Sequence, residues 1–247
     1  DVYEGLEPAV KRGTVKYIRV CQEVRADLIR LPNGEYQADH EPFQDWYATP
    51  THKVNGPHGW PSYVAKSDLG IAPVEKDGSA SFYAPAGKVL YFQILDEDYN
   101  EIQRMRSVVQ LQAGEKRGCI GCHENRMLAP PSLNRMPIAM RREPSTLQPP
   151  PWGDGPFSYE KVVQPVWYAK CTRCHDAKDE QQITLTGALD GDGIPASYRT
   201  VIAKGWVHYF DYTRGPEHSK AQPLSIGTVN SKLRKILDGG HYDVQLT

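Results

Sequence analysis

The chain has 247 residues, with 29 Lys and Arg against 30 Asp and Glu, a formal charge of -1, 39% hydrophobic residues and five cysteines. The balanced charge excludes the broad basic surface that non-specific nucleic-acid binding needs, so no nucleic-acid partner is expected. No apolar run approaches the roughly 18 residues of a membrane span, and 14 Tyr, 5 Trp and 5 Phe are heavy for a disordered chain.

The first half reads as β-rich. Thr14 to Val24 carries Val15, Tyr17, Ile18, Val20 and Val24; Ser79 to Tyr83 and Lys88 to Leu95 are aromatic and β-branched; Met105 to Leu111 alternates. Asp77-Gly78, between Ile71 to Val74 and Ser79 to Phe82, predicts a hairpin with a two-residue turn, and Pro73 marks its first strand as an edge. Residues 31 to 62, rich in Pro, Gly and Asn, predict a long loop carrying His40, His52 and His58.

Four of the five cysteines then fall into two copies of one pattern, Cys119-Ile-Gly-Cys122-His123 and Cys171-Thr-Arg-Cys174-His175. This is the C-x-x-C-H signature of covalent c-type haem attachment: two thiols add to the vinyl groups of one porphyrin edge, and the adjacent imidazole becomes the proximal iron ligand. A zinc ribbon could also use two C-x-x-C pairs, but it has no need for a His after each, and these pairs stand 52 residues apart. Thioredoxin-like chemistry wants a βαβ pattern that is not evident here. Two covalent haems are therefore expected, with His123 and His175 as proximal ligands. Such haems are attached outside the cytoplasm, which predicts a periplasmic, cell-surface or extracellular location. No signal peptide precedes Asp1, so the chain reads as a processed product.

Residues 129 to 157 contain eight prolines and read as an extended linker. Beyond it, Ser158 is a candidate N-cap for a helix with Tyr159, Val162, Val163, Val166 and Trp167 on one face, kinked at Pro165 and running into Cys171. Val229, Leu233, Ile236 and Leu237 predict a second helix closed by Gly239. A helix leading into C-x-x-C-H resembles the opening of a class I cytochrome c. In that fold a C-terminal helix packs over the first one; this chain ends where that helix would start, so the domain is expected to lack it. Trp152, Trp167, Tyr168, Trp206, Tyr209 and Phe210 are expected as core and haem-packing residues. The expected class is α+β: residues 1–128 a β-rich, sandwich-like domain carrying the first haem motif, 129–157 the linker, and 158–247 a mainly α, cytochrome c-like domain carrying the second.

Several stretches together resemble one family. Thr14-Val-Lys-Tyr-Ile-Arg-Val20, Val74-Glu-Lys-Asp-Gly-Ser-Ala80, Phe92-Gln-Ile-Leu-Asp-Glu97, Met105-Arg-Ser107, Gly114 through Glu124 and Gly240-His-Tyr-Asp-Val-Gln-Leu246 are similar to multihaem proteins related to the hydrazine synthase alpha subunit. The resemblance implies a β-rich middle domain with one c-type haem, then a cytochrome c-like domain with another. It also implies a Tyr iron ligand four residues after the first motif histidine, where this chain has Met127, and a nearby zinc held partly by Cys and His.

For the second haem, His241 is the expected distal ligand: it follows a helix cap, lies in the family-like run and stands 66 residues past His175, with His208 and His218 as alternatives. For the first, His52, His58 and Met127 remain open, as does an unligated iron. Cys21 reads as a small buried strand residue; the resemblance makes it a candidate zinc ligand with His52. The functional expectation is a dihaem electron carrier, with redox proteins or neighbouring haem subunits as partners, alone or within a larger assembly. The alternative is a haem enzyme segment whose first haem acts on a small nitrogen or oxygen species.

Overall fold

The computed structural model describes residues 1–23, 28–30, 33, 36–38, 66–105, 108–121, 135–153, 157–176, 183–191, 193–207, 222–225 and 227–246. Strand β1, Tyr17–Glu23, is central because Val20 and Cys21 bury on opposite faces of a two-residue repeat. It pairs antiparallel with β4, Lys66–Pro73, on one side and with β5, Val89–Leu95, on the other. Strand β6, Glu101–Arg104, continues the sheet beyond β5, and the short β7, Val109–Gln110, also pairs with β5. Strands β2, Leu28–Arg30, and β3, Tyr36–Ala38, form a separate antiparallel pair.

Among the described residues the expected sandwich is a single five-stranded sheet covered on one face by the N-terminal segment. Tyr3, Leu6, Val10 and Val15 bury against Ile94 and Ile102. Tyr3 locks that cover in place, because its buried hydroxyl accepts from the N–H groups of Gly13 at 2.7 Å and Val15 at 2.9 Å.

The other face carries a buried polar network. Arg19 Nε lies 3.0 Å from Asp68 Oδ2, and its guanidinium donates to Gln93 Oε1 at 3.3 Å. The Gln93 amide donates to Glu101, which pairs with Arg104 at 3.5 Å. Cys21 Sγ sits 3.9 Å from Gln93 Oε1 within this group. Burial raises the carboxyl pKa values of Asp68 and Glu101 despite the neighbouring arginines.

Three sequence expectations change. The turn at Asp77-Gly78 forms, with Glu75 N–H donating to the Ser79 carbonyl, but the chain after it leaves β4 and Phe82 bridges to Ser145 instead. Ile71 spends its N–H and C=O on Gln148, so the edge of β4 there is already taken. That partner comes from the proline-rich stretch, which holds a 3-10 turn at Ile138–Arg141 and is attached: Ile138 N–H donates to Asp77, Ala139 N–H to Ser79, and Arg142 pairs with Glu75 at 2.8 Å. Gly70 makes the approach sterically feasible, since a Cβ there would stand 2.4 Å from the Gln148 carbonyl oxygen. The strand read across Met105 to Leu111 is interrupted, with β6 ending at Arg104 and β7 only two residues long.

Among the described residues the second half contains three short α-helices. Ser158 caps a π-helical turn, Tyr159–Val163, by accepting from Lys161 N–H, and α1, Gln164–Lys170, follows directly. Pro165 therefore falls in the first turn of α1, where its missing N–H costs nothing, rather than inside one long helix. Helix α2, Ala196–Ala203, had no counterpart in the sequence reading. Helix α3, Lys232–Asp238, lies where expected, although Val229 belongs to the preceding 3-10 turn and the left-handed residue is Gly240 rather than Gly239. Trp167, Leu185 and Val201 form this half's core, with Tyr159, Val163, Cys171, Ile183, Trp206 and Leu233 packed on it.

Candidate functional site

The second C-x-x-C-H motif continues the end of α1. Cys171 N–H donates to the Trp167 carbonyl at 2.8 Å, and the N–H groups of Cys174 and His175 both donate to the Cys171 carbonyl at 3.1 Å. These bonds wind the motif into one compact turn that starts from the buried Trp167. Cys171 is half-buried against the core, where burial raises its thiol pKa, and Cys174 is exposed; neither is in a disulfide. One sulfur thus faces the apolar interior and the other solvent.

His175 is fixed from behind by the core. Its carbonyl accepts from Leu185 N–H at 2.9 Å, and the Leu185 carbonyl accepts from Gln164 Nε2 at 3.1 Å. Gln164 Oε1 in turn accepts from Ser197 Oγ at 2.6 Å. Tyr159 completes the chain: its hydroxyl donates to Ser197 Oγ at 3.0 Å and accepts from Trp167 Nε1 at 2.8 Å. Every member of this buried polar chain is satisfied, so it rigidifies the proximal turn. Of the residues behind His175, Tyr159 and Trp167 stood out in the sequence, whereas Leu185, Gln164 and Ser197 did not. Gln164 and Ser197 act through partners 21 and 33 residues away and leave no local signature.

The structure brings His241 to His175. Their ring centroids are 6.0 Å apart and their planes 17° from parallel. His175 Nδ1 is buried without a hydrogen-bond partner. Two neighbouring imidazoles, beside one half-buried and one exposed thiol, are the donor set a c-type haem needs. His175 and His241 would hold its iron and Cys171 and Cys174 its porphyrin edge; such a group supplies one-electron transfer when bound.

The first motif is described up to Gly121. Cys119 is exposed, and Gly121 N–H donates to the Asp1 carbonyl at 2.8 Å, pinning the motif to the N-terminal cover of the sheet. Cys122, His123, Met127, His40, His52, His58, His208, His218, Tyr209 and Phe210 lie outside the described residues. Cys21 is a buried β1 residue, and among the described residues no group of three or more His, Cys, Asp and Glu could hold a metal. Of the aromatics singled out from sequence, Trp167 is buried and Trp206 packs against the core, whereas Tyr168 and Trp152 are exposed. No helix among the described residues is long and apolar enough to cross a membrane.

Comparison with known proteins places this geometry in context. No curated protein matches the chain. A solved structure, Kuenenia stuttgartiensis Hydrazine Synthase, matches 91% of this chain with a TM-score of 0.55 and 17% sequence identity, a likeness of fold. The chain spans 33% of that structure's chain. Residues 13–124, the segment holding the sheet and the first haem motif, match the family model of the hydrazine synthase alpha subunit middle domain.

Proposed function

We propose that the chain is a dihaem c-type segment acting outside the cytoplasm, in which the cytochrome c-like half, 158–247, carries electrons. The observation that carries the reading is the pairing of His175 and His241 at 6.0 Å beside Cys171 and Cys174. With His175 and His241 both held to the iron, no position would be left for a substrate, and the group would supply electron transfer. The proximal His175 is held by the Leu185, Gln164 and Ser197 bonds, which limits rearrangement between oxidation states.

A second reading, for the β-rich half, rests on the family model matched by residues 13–124. There the haem on Cys119, Cys122 and His123 is catalytic on a small nitrogen or oxygen species, and the second haem serves it with electrons. His52, His58 and Met127 are the proposed candidates for its remaining iron position, and Cys21 for a zinc ligand. Redox proteins or neighbouring haem subunits are the partners this reading calls for.

Intact mass and absorption spectra test both readings. The haem-loaded chain should carry two haems, and in His241→Ala one should turn from low-spin to high-spin. Carbon monoxide added to the reduced protein separates the two roles by rate: a fast phase in the unmodified chain, beside any slow phase limited by His241 release, supports the catalytic reading for the first haem, and the absence of a fast phase removes it. A mass without added haem would overturn the proposal.

A further inference from the structure

The segment carrying His241 has little of its own to hold it in place. From Gly239 to Leu246 no residue is buried, Tyr242 is 91% exposed, and the backbone passes through left-handed conformations at Gly240 and Tyr242. Its internal bonds, Gly240 N–H to the Leu237 carbonyl and Val244 N–H to the His241 carbonyl, shape the turn without fastening it to the proximal motif. Among the described residues, an ion pair links the two. Arg173, inside the C-x-x-C spacing and two residues before His175, places Nη2 3.3 Å from both carboxylate oxygens of Asp243, two residues after His241.

We infer that Arg173 and Asp243 are positioning residues that latch the distal His241 turn onto the proximal Cys171–His175 turn. The inference rests on the reading of His175 and His241 as paired axial ligands. The latch spans 70 residues of sequence and closes at the point where the two ligand-bearing turns meet. Both side chains are more than three-quarters exposed, so the attraction is modest and screened by salt. This gives a specific expectation: dissociation of His241 from the iron is faster at high ionic strength, and the ion pair carries that dependence.

The test uses the haem-loaded chain, following carbon monoxide binding to the reduced protein by stopped flow. The phase to be read is the one limited by His241 release, identified by its disappearance in His241→Ala. Asp243→Asn and Arg173→Gln should each speed that phase about 2- to 5-fold at low salt, the range an exposed ion pair provides. They should also abolish its acceleration between about 20 mM and about 0.5 M salt. The exchanged pair, Arg173→Asp with Asp243→Arg, should restore both the slow phase and its salt dependence. A urea titration of the low-spin band gives a second readout, with the midpoint lowered in the single variants and recovered in the exchange. If the phase is present and sensitive to His241 but Asp243→Asn leaves its rate and salt dependence unchanged, the latch is overturned and the ligand pair stands. If His241→Ala leaves the spectrum unchanged, both fall.

Discussion

Arg234 Nη1 donates to Asn100 Oδ1 at 3.2 Å, tying helix α3 of the second half to the turn between β5 and β6 in the first. Asn100 is nearly buried, and its remaining groups are committed: its Nδ2 donates to Asp96 Oδ2 and its backbone N–H to Asp96 Oδ1. Beside it, Leu224 N–H donates to the Ile102 carbonyl at 2.9 Å, so the helical half also borders the sheet at β6. Because α3 leads into His241, this contact connects the sheet to the turn that carries His241.

Arg234→Ala should therefore loosen the joint between the halves. One partly exposed hydrogen bond to a charged group contributes about 1 kcal/mol. Urea unfolding should show that loss, and limited proteolysis should cut faster between the halves. Unchanged stability and cleavage would mean that the Leu224 bond and side-chain packing hold the joint without Arg234.

Tyr3→Phe should cost more, although it removes a single oxygen. The hydroxyl accepts from two backbone N–H groups, and Val15 is buried, so the variant strands donors away from water. A loss of about 2 kcal/mol is expected, read as a lower denaturant midpoint at unchanged slope. A loss below about 0.5 kcal/mol would mean that water reaches those N–H groups.

The two glycines around Cys119 should respond oppositely. Gly121 has φ of 75°, and a Cβ there would stand 2.3 Å from the Glu4 carbonyl oxygen, so Gly121→Ala must displace the first motif from the N-terminal cover. A cost of about 2 kcal/mol follows from strain plus backbone clash. Gly118 has nothing within 4 Å, and Gly118→Ala should stay within about 0.5 kcal/mol of the parent. Equal effects of the two substitutions in thermal unfolding would contradict the close packing at Gly121.

These contacts also show what the sequence could and could not reveal. The two C-x-x-C-H patterns stand out by their fixed spacing, and β1, β5 and the Ser158 cap were legible because each has a local pattern. Lys66 to Pro73 extends well beyond the apolar run at Ile71 to Val74: its first half carries Lys66, Ser67 and Asp68, whose strand conformation is set by pairing with β1. Proline content made residues 129–157 read as an extended linker, yet within them Gln148 and Ser145 are bridged to Ile71 and Phe82, partners more than 60 residues away. The link between Arg173 and Asp243 is hidden for the same reason. The two charges stand 70 residues apart, and only the fold brings them together.

The buried polar face of the sheet gives a pH dependence whose sign can be worked out. Burial is the largest influence on Glu101 and raises its carboxyl pKa, against the opposing attraction of Arg104, the Gln93 bond and Arg19. Its folded-state pKa therefore lies above the ordinary value of about 4.3 that it has unfolded. Between those two values the native state binds more protons than the unfolded one, so the stability contributed by Glu101 is full below the unfolded pKa and is lost as pH rises through the folded pKa. Asp68 has the same sign, also through burial first. Asp77 has the opposite sign: burial disfavours its ionised form, but bonds from Ser79 and from Ile138 N–H outweigh that and lower its pKa. Comparing the parent with Glu101→Gln isolates one group, because every other titration is common to both. Urea unfolding from about pH 4 to about pH 7 should show the stability of the parent relative to the variant falling as pH rises. A difference that grows with pH would mean that the attraction of Arg104 and Arg19 for the ionised carboxylate outweighs its burial.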